Sequence, residues 1–257
     1  LNSIGEIGAK VRLNSIVERI EWKRGSATVH FRSALCGEVE TIRTCRVIIT
    51  IPLGVLQATP DNPGSIRFEP EPVEILGAAR SLRFGNVVRV VLRFREAFWE
   101  SNRLISDAGF LLSDEPLFPT WWTGLPVHAP VITGWSAGPY ADELLGQTEP
   151  TIILEALASL ARITGCKRER LSGLLEAAYV HDWHGDPFAR GAYSYVPAGT
   201  LSARKTLTEA VAETLYFAGE AVTLRGHGGT VHGAIASGKR VAQRCIAGTE
   251  KVSQIST

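Results

Sequence analysis

The amino-acid sequence predicts an α+β (mixed α/β) fold with a mixed, largely antiparallel sheet and flanking helices. Three observations carry this. Runs dense in Val, Ile and Thr with strand-like alternation fill residues 10–50, and a further one covers "VVRVVLRF". Two segments, "EPTIILEALASLARITG" and "GTVHGAIASGKRVAQRC", carry apolar residues at helical spacing. Strands and helices alternate without a regular βαβ rhythm, which disfavours a wholly parallel sheet.

The elements follow in order. "KVRLNSIVERIEW", a turn at "KRGS", "ATVHF" and "RVIITIP" read as two or three strands punctuated by Gly25 and Gly37. "IPLGVLQ" breaks into a proline-rich stretch from Pro60 to Pro72. "PVEILGAARSL" reads as a short helix ended by Gly85. In "VVRVVLRF", Val88, Val90 and Leu92 fall on one face and Arg89 on the other. A Trp-rich segment, "FPTWWTGLP", precedes the strand-like "PVITGWSAG". The helix "EPTIILEALASLARITG" has Glu149 and Pro150 in its first turn and Gly165 after its last. "LLEAAYVHDW", "AYSYV" and "TLYFAGEA" read as strands, with Tyr193 and Tyr195 on one face. In the last helix Val231, Ala234, Ile235, Gly238, Val241, Ala242 and Cys245 form one apolar face.

Composition narrows the function classes. The 27 basic and 26 acidic residues give a net charge of +1, so nothing electrostatic points to nucleic acid or an anionic membrane. No apolar run approaches the roughly 18 residues of a spanning helix. Four scattered cysteines (Cys36, Cys45, Cys166 and Cys245) form no CxxC and no metal spacing, the pattern expected of reduced thiols in a cytoplasmic protein. The chain has no methionine, even at its start, as expected of a piece of a longer polypeptide or of one processed at its N-terminus.

Three segments bear chemistry. In "GEAVTLRGHGGTVHGAIASGKRVA", Gly226, Gly228 and Gly229 allow a sharp turn and close approach to a ligand, and the turn delivers a helix start that favours anionic groups. Glu220, just after a strand, suits the hydroxyls of a sugar or polyol. On the residues alone, a glycine corner capped by Glu220 stands equally well. His227 and His232 lack a third ligand at suitable spacing, so no metal is expected. "DWHGDPFARGAYSYVPAG" sets Trp183, Phe188, Tyr193 and Tyr195 around a turn-rich loop, either as a packed aromatic core or as a surface for a ring or an amine. Arg89 is a charge within an apolar strand, with solvent or an acid as its ordinary neighbour.

Taken together and in this order, "RVIITIPLGVL", "LRFGNVVRVVLRFREAFW", "DPFARGAYSYVPAG" and "LYFAGEAV…GTVHGAIASGKR" resemble the C-terminal half of the flavin-containing amine oxidases, the family of monoamine oxidases, polyamine oxidases and flavin histone lysine demethylases. The resemblance spans nearly the whole chain. It implies FAD as cofactor and a small-molecule amine as substrate, oxidised to an imine with oxygen reduced to peroxide. It places Glu220, after Gly219, on the ribityl or ribose region, and brings Gly229, Thr230, Val231 and Ala234 to the flavin ring and phosphates. Val17 falls on the strand whose backbone contacts the adenine end, and Pro52 on a loop lining the dinucleotide. Trp183, Phe188 and Tyr193 match positions around flavin and amine, with Trp183 and Tyr193 beside the reacting amine.

Two departures qualify this resemblance. Where typical members carry a lysine that holds a water against the flavin, this chain has Arg89, which keeps the charge but cannot exchange a proton. The strand–GxGxxG–helix of the nucleotide-binding half does not occur in the chain. The resemblance therefore implies discontinuous pieces of an FAD-binding domain (residues 1–85 and 202–257) lacking the N-terminal Rossmann unit, around a substrate-binding segment, residues 86–201. The chain alone is expected to bind FAD weakly and to associate with the missing half or with itself. A flavin desaturase or porphyrinogen oxidase shares only the FAD part, and "ARGAYSYV" argues against it. A non-catalytic binding module is the alternative.

Overall fold

The architecture was taken from a computed structural model, which describes residues 8–223 and 226–255, with side chains to residue 247. The expectations that fall on residues 1–7, 224, 225, 256 and 257 lie outside the described residues.

In chain order the elements are β1 (Ser15–Lys23), β2 (Ser26–Ser33), β3 (Val39–Thr44), β4 (Val47–Ile49), α1 (Leu53–Leu56), β5 (Arg67–Glu69), α2 (Val73–Ser81) and β6 (Arg83–Gly85). Then come β7 (Val87–Phe94), β8 (Phe110–Leu112), β9 (Thr120–Thr123), β10 (Val131–Ala137), α3 (Pro139–Asp142), α4 (Glu149–Thr164) and α5 (Arg168–Leu174). The last are β11 (Leu175–Val180), β12 (Tyr193–Tyr195), α6 (Leu201–Leu207), β13 (Leu215–Phe217) and α7 (Val231–Ile255). The mixed α/β class read from the sequence holds. Packing divides the chain into two units: one gathers the residues up to 84 and from 193 onward, the other is Gly85–Ala192.

In the first unit β3, β2, β1 and β5 form one sheet, antiparallel except for the parallel β1–β5 pair. Gly25, at φ 73°, turns β1 into β2, and its N–H donates to Thr214 Oγ1 at 2.7 Å. β5 is not visible in the sequence because its three residues sit among prolines. The core joins Ile20, Phe68, Leu53, Ile75, Leu82, Leu207 and Phe217. α2 ends at Ser81 rather than at Gly85, because Leu82 turns to extended backbone and buries in this core while Arg83–Gly85 runs on as β6. β6 pairs with β12, and Val196 packs against the same core, so residues 193–201 belong to this unit by packing.

The apolar face expected for α7 is split. Its buried row is Gly233, Ser237 and Val241, four residues apart, whereas Val231 is 77% and Ile235 54% exposed. Small residues are selected on the inner side because the backbone of α7 lies close to its neighbours: a Cβ on Gly233 would collide with the carbonyl oxygen of His227.

The second unit is built on a five-stranded sheet of order β11–β7–β10–β9–β8, antiparallel throughout its pairs. Val88, Val90, Leu92 and Phe94 of β7 turn to a core closed by Ile152, Leu157 and Leu160 of α4 and Leu171 of α5. Thr148 caps α4 by accepting the Thr151 N–H, and Gly165 at φ 69° ends it. Gly134 of β10 lies opposite Trp121 of β9, whose fully buried ring occupies the space a side chain would need. No helix among the described residues is long and apolar enough to cross a membrane.

Candidate cofactor site

β4 and β13 pair in parallel, Val47 with Leu215 through Ile49 with Phe217, extended by Val47 N–H to Thr214 O and Ala218 N–H to Ile49 O. Parallel strands release their chains at the same end, and in such sheets ligands bind beyond the carboxyl ends. Here those ends continue as Thr50-Ile51-Pro52 and as Gly219-Glu220. Pro52 leads into α1, its carbonyl accepting the N–H groups of Val55 and Leu56 at 3.1 Å. Gly219 has φ 137° and ψ −178°, a backbone open essentially to glycine alone. Its N–H donates to Ser237 Oγ of α7 at 2.9 Å, and that hydroxyl also lies 2.8 Å from Ala234 O.

Glu220 then turns back onto the glycine turn. Its Oε2 accepts Ser194 Oγ at 2.7 Å and the Gly229 N–H at 2.8 Å; the Ser194 N–H reaches both oxygens at 3.3 Å. Oε1 keeps acceptor capacity for a further donor. Gly229, at φ 73°, passes over Tyr193: a Cβ there would sit 3.6 Å from Tyr193 Cβ and Cδ2. Thr230 closes the turn, its hydroxyl donating to His227 O at 2.7 Å and accepting the Gly233 N–H at 3.2 Å. Its carbonyl begins the α7 ladder by accepting the Ala234 N–H. The first turn of a helix leaves N–H groups without partners in the helix, and these favour negative charge.

The first unit thus brings together Tyr193, Gly219, Glu220, Gly229, Thr230 and Ala234, with Val231 exposed as the first residue of α7. Val17 lies in β1 opposite Phe31, beside a register shift, and packs on the core that also holds Ala221 and Val222. Three residues that lie inside the chemistry-bearing segments of the sequence, but with no role assigned to them there, belong to the network: Ser194, the only buried residue of β12; Ser237, which ties α7 to Gly219; and Gly233, whose bare Cα lets the turn close. The two histidines meet each other, His227 Nδ1 to His232 Nε2 at 3.0 Å. Among the described residues no three His, Cys, Asp or Glu gather to hold a metal ion.

Arg89, Trp183 and Phe188 lie in the second unit. Arg89 is exposed on β7 opposite Trp135, on the face away from the core. Trp183 meets His181 edge-on at 4.3 Å, and its carbonyl accepts the Gly191 N–H. Phe188 is exposed, its N–H donating to Asp186 Oδ1 at 2.8 Å while Asp186 Oδ2 lies 2.9 Å from His181 Nε2. The Phe188 N–H, with His181 added, holds the Asp186 carboxyl below the usual aspartate range against the opposing effect of burial.

A flavin dinucleotide asks for backbone that can be approached closely, an acceptor for a sugar or polyol hydroxyl, and N–H dipoles toward its anionic parts. The bare Gly229, Glu220 Oε1 and the start of α7 meet these needs, so the residues fit the group.

Comparison with known proteins agrees. The family model for flavin containing amine oxidoreductases matches residues 2–246. Histone demethylase-like protein A of Aspergillus fumigatus is 32% identical over 92% of this chain and 22% of its own length. The human peroxisomal N(1)-acetyl-spermine/spermidine oxidase is 30% identical over 83% of this chain and 45% of its own. Among solved structures, wild-type putrescine oxidase bound to putrescine superposes with a TM-score of 0.75 at 22% identity, over 95% of this chain and 51% of that one. Cyclohexylamine oxidase from Brevibacterium oxydans gives 0.71 at 20% identity, over 91% and 48%. The chain therefore spans about half or less of the length of these proteins. It belongs to the family of flavin containing amine oxidoreductases, whose cofactor is FAD.

Proposed function

We propose that this chain is the C-terminal portion of an FAD-dependent amine oxidase that converts a primary or secondary amine to an imine. The observation that carries the reading is the Glu220 carboxylate at the end of β13, fastened to Ser194 and to the Gly229 N–H. It supports a preformed, glycine-walled edge for FAD at the carboxyl end of a parallel strand pair.

The first unit is read as pieces of an FAD-binding domain and the second as the substrate-binding domain. Bound FAD supplies the two-electron acceptor for the amine and returns the electrons to oxygen as peroxide. The chain's own residues bind and orient. Glu220 accepts a hydroxyl, Gly229 and Thr230 present backbone, and the α7 dipole favours negative charge. Tyr193 of the first unit and Trp183 of the second are each read as amine-binding residues, and Arg89 as a charge without proton exchange. The absence of a GxGxxG from this chain supports weak FAD binding by the chain alone. Exposed Ile48, Val231 and Ile235 support a covering partner for the first unit, the N-terminal half or a second copy. The exposed thiols of Cys36 and Cys45 support a reducing, cytoplasmic setting.

A second reading, a non-catalytic binding module, is favoured by Arg89 in place of lysine. Anaerobic titration of the intact, FAD-loaded protein with mono-, di- and polyamines separates the two. An amine oxidase bleaches the flavin absorbance with at least one amine and yields peroxide on admitting air. Full flavin occupancy with no bleaching by any amine contradicts the proposal.

A further inference from the structure

The glycine turn is braced from a third side, by a residue that no motif marks. Arg204 projects from α6 so that its guanidinium lies against the Cα of Gly228; a Cβ at Gly228 would collide with Cζ and both terminal nitrogens. Arg204 Nη2 donates to Ser194 Oγ at 3.4 Å, and that hydroxyl donates to Glu220 Oε2, the oxygen that also accepts the Gly229 N–H. Arg204 Nε is buried without a hydrogen-bond partner, and among the described residues no carboxylate lies within ion-pair range of this side chain. A half-buried guanidinium with one long hydrogen bond is a costly arrangement. Its main gain here is contact, a flat cation laid on the backbone of a turn that has no side chain to hold it.

We propose that Arg204 is a positioning residue: it clamps the Gly228 turn and, through Ser194 and Glu220, holds the Gly229 N–H on the Glu220 carboxylate before FAD arrives. The inference rests on reading that turn as the FAD edge. The backbone of Gly228 lies outside the positive-φ region, so a methyl group there meets the guanidinium and not backbone, and it enters only by displacing that flexible side chain from the turn. Lysine keeps the charge but not the planar surface.

The test is a mutant cycle on the full chain, read by NMR hydrogen exchange at the Gly229 amide and, in the intact protein, by FAD affinity. Arg204→Ala and Gly228→Ala each speed exchange at Gly229 by about tenfold, the scale of one lost hydrogen bond. Arg204→Lys recovers only part of the protection. In the double variant Gly228→Ala adds little, because the methyl group enters space that Arg204 has vacated. FAD affinity falls in the same order. Unchanged Gly229 exchange in folded Arg204→Ala overturns the clamp, as does a Gly228→Ala effect undiminished in the Arg204→Ala background. If Arg204→Ala does not fold, Arg204→Lys and Gly228→Ala decide: wild-type exchange in both overturns it. The expected exchange pattern without FAD binding by the wild type upholds the clamp and defeats the FAD reading instead.

Discussion

Glu220 Oε2 accepts the Gly229 N–H at 2.8 Å, a bond spanning nine residues that joins the end of β13 to the turn before α7. The same oxygen takes the Ser194 hydroxyl at 2.7 Å. One carboxylate thus ties together the three segments that form this edge of the site. Glu220→Ala removes the acceptor of three donors, the Ser194 N–H and hydroxyl and the Gly229 N–H, so we expect a loss of about 1–3 kcal/mol in stability by chemical denaturation. Glu220→Gln recovers only part of it, because its amide offers one acceptor oxygen and a donor that faces other donors.

Gly134 and Trp121 make a second close pair. Gly134→Ala forces a methyl group into the Trp121 ring, which is fully buried and held by its indole N–H on Phe118 O at 2.9 Å. The expected cost is about 1–3 kcal/mol, seen as a lowered Tm. Gly109→Ala, where a methyl group meets open space, leaves Tm near the wild-type value.

Asp186 sets a pH dependence in the second unit. Its carboxyl titrates below the ordinary aspartate value in the folded chain, first because of the Phe188 N–H and then because of His181. A depressed folded pKa stabilises above the unfolded value of about 3.9 and loses that contribution as pH falls through the folded value. Stability followed by Trp fluorescence between about pH 2 and 6 therefore declines less steeply in Asp186→Asn than in the wild type.

In the proposed site, Arg89 is the residue through which chemistry is most open to change. Arg89→Lys restores the compact, proton-exchanging cation that typical members carry, and we expect faster reoxidation of the flavin by oxygen in stopped-flow measurements on the intact protein. Arg89→Ala slows it. A Lys variant no faster than the wild type removes Arg89 from the proposed site.

Much of this was legible because the signals are local. The register of β7 follows from Val88, Val90 and Leu92 alternating with Arg89, and α4 announces itself through Glu149, Pro150 and Gly165. Glu220 and the glycine turn stand in a continuous stretch of sequence. Contacts made by residues distant in sequence were not legible. Ser194 has no role legible in the sequence between its two tyrosines, yet it supplies two donors to Glu220 across 26 residues. α7 misled the reading because helical spacing shows that a face is apolar, not which side meets the sheet. Gly233 and Ser237, which look unremarkable by hydropathy, take the inner row because only small residues fit there.

The Glu220–glycine turn is proposed as one edge of an FAD site. FAD affinity of the intact protein, measured by flavin fluorescence for wild type and Glu220→Ala, tests it most directly. We expect tight binding by the wild type and affinity at least about tenfold weaker in the variant, the scale of a lost charge-assisted hydrogen bond. Equal affinity in the two folded proteins would contradict it.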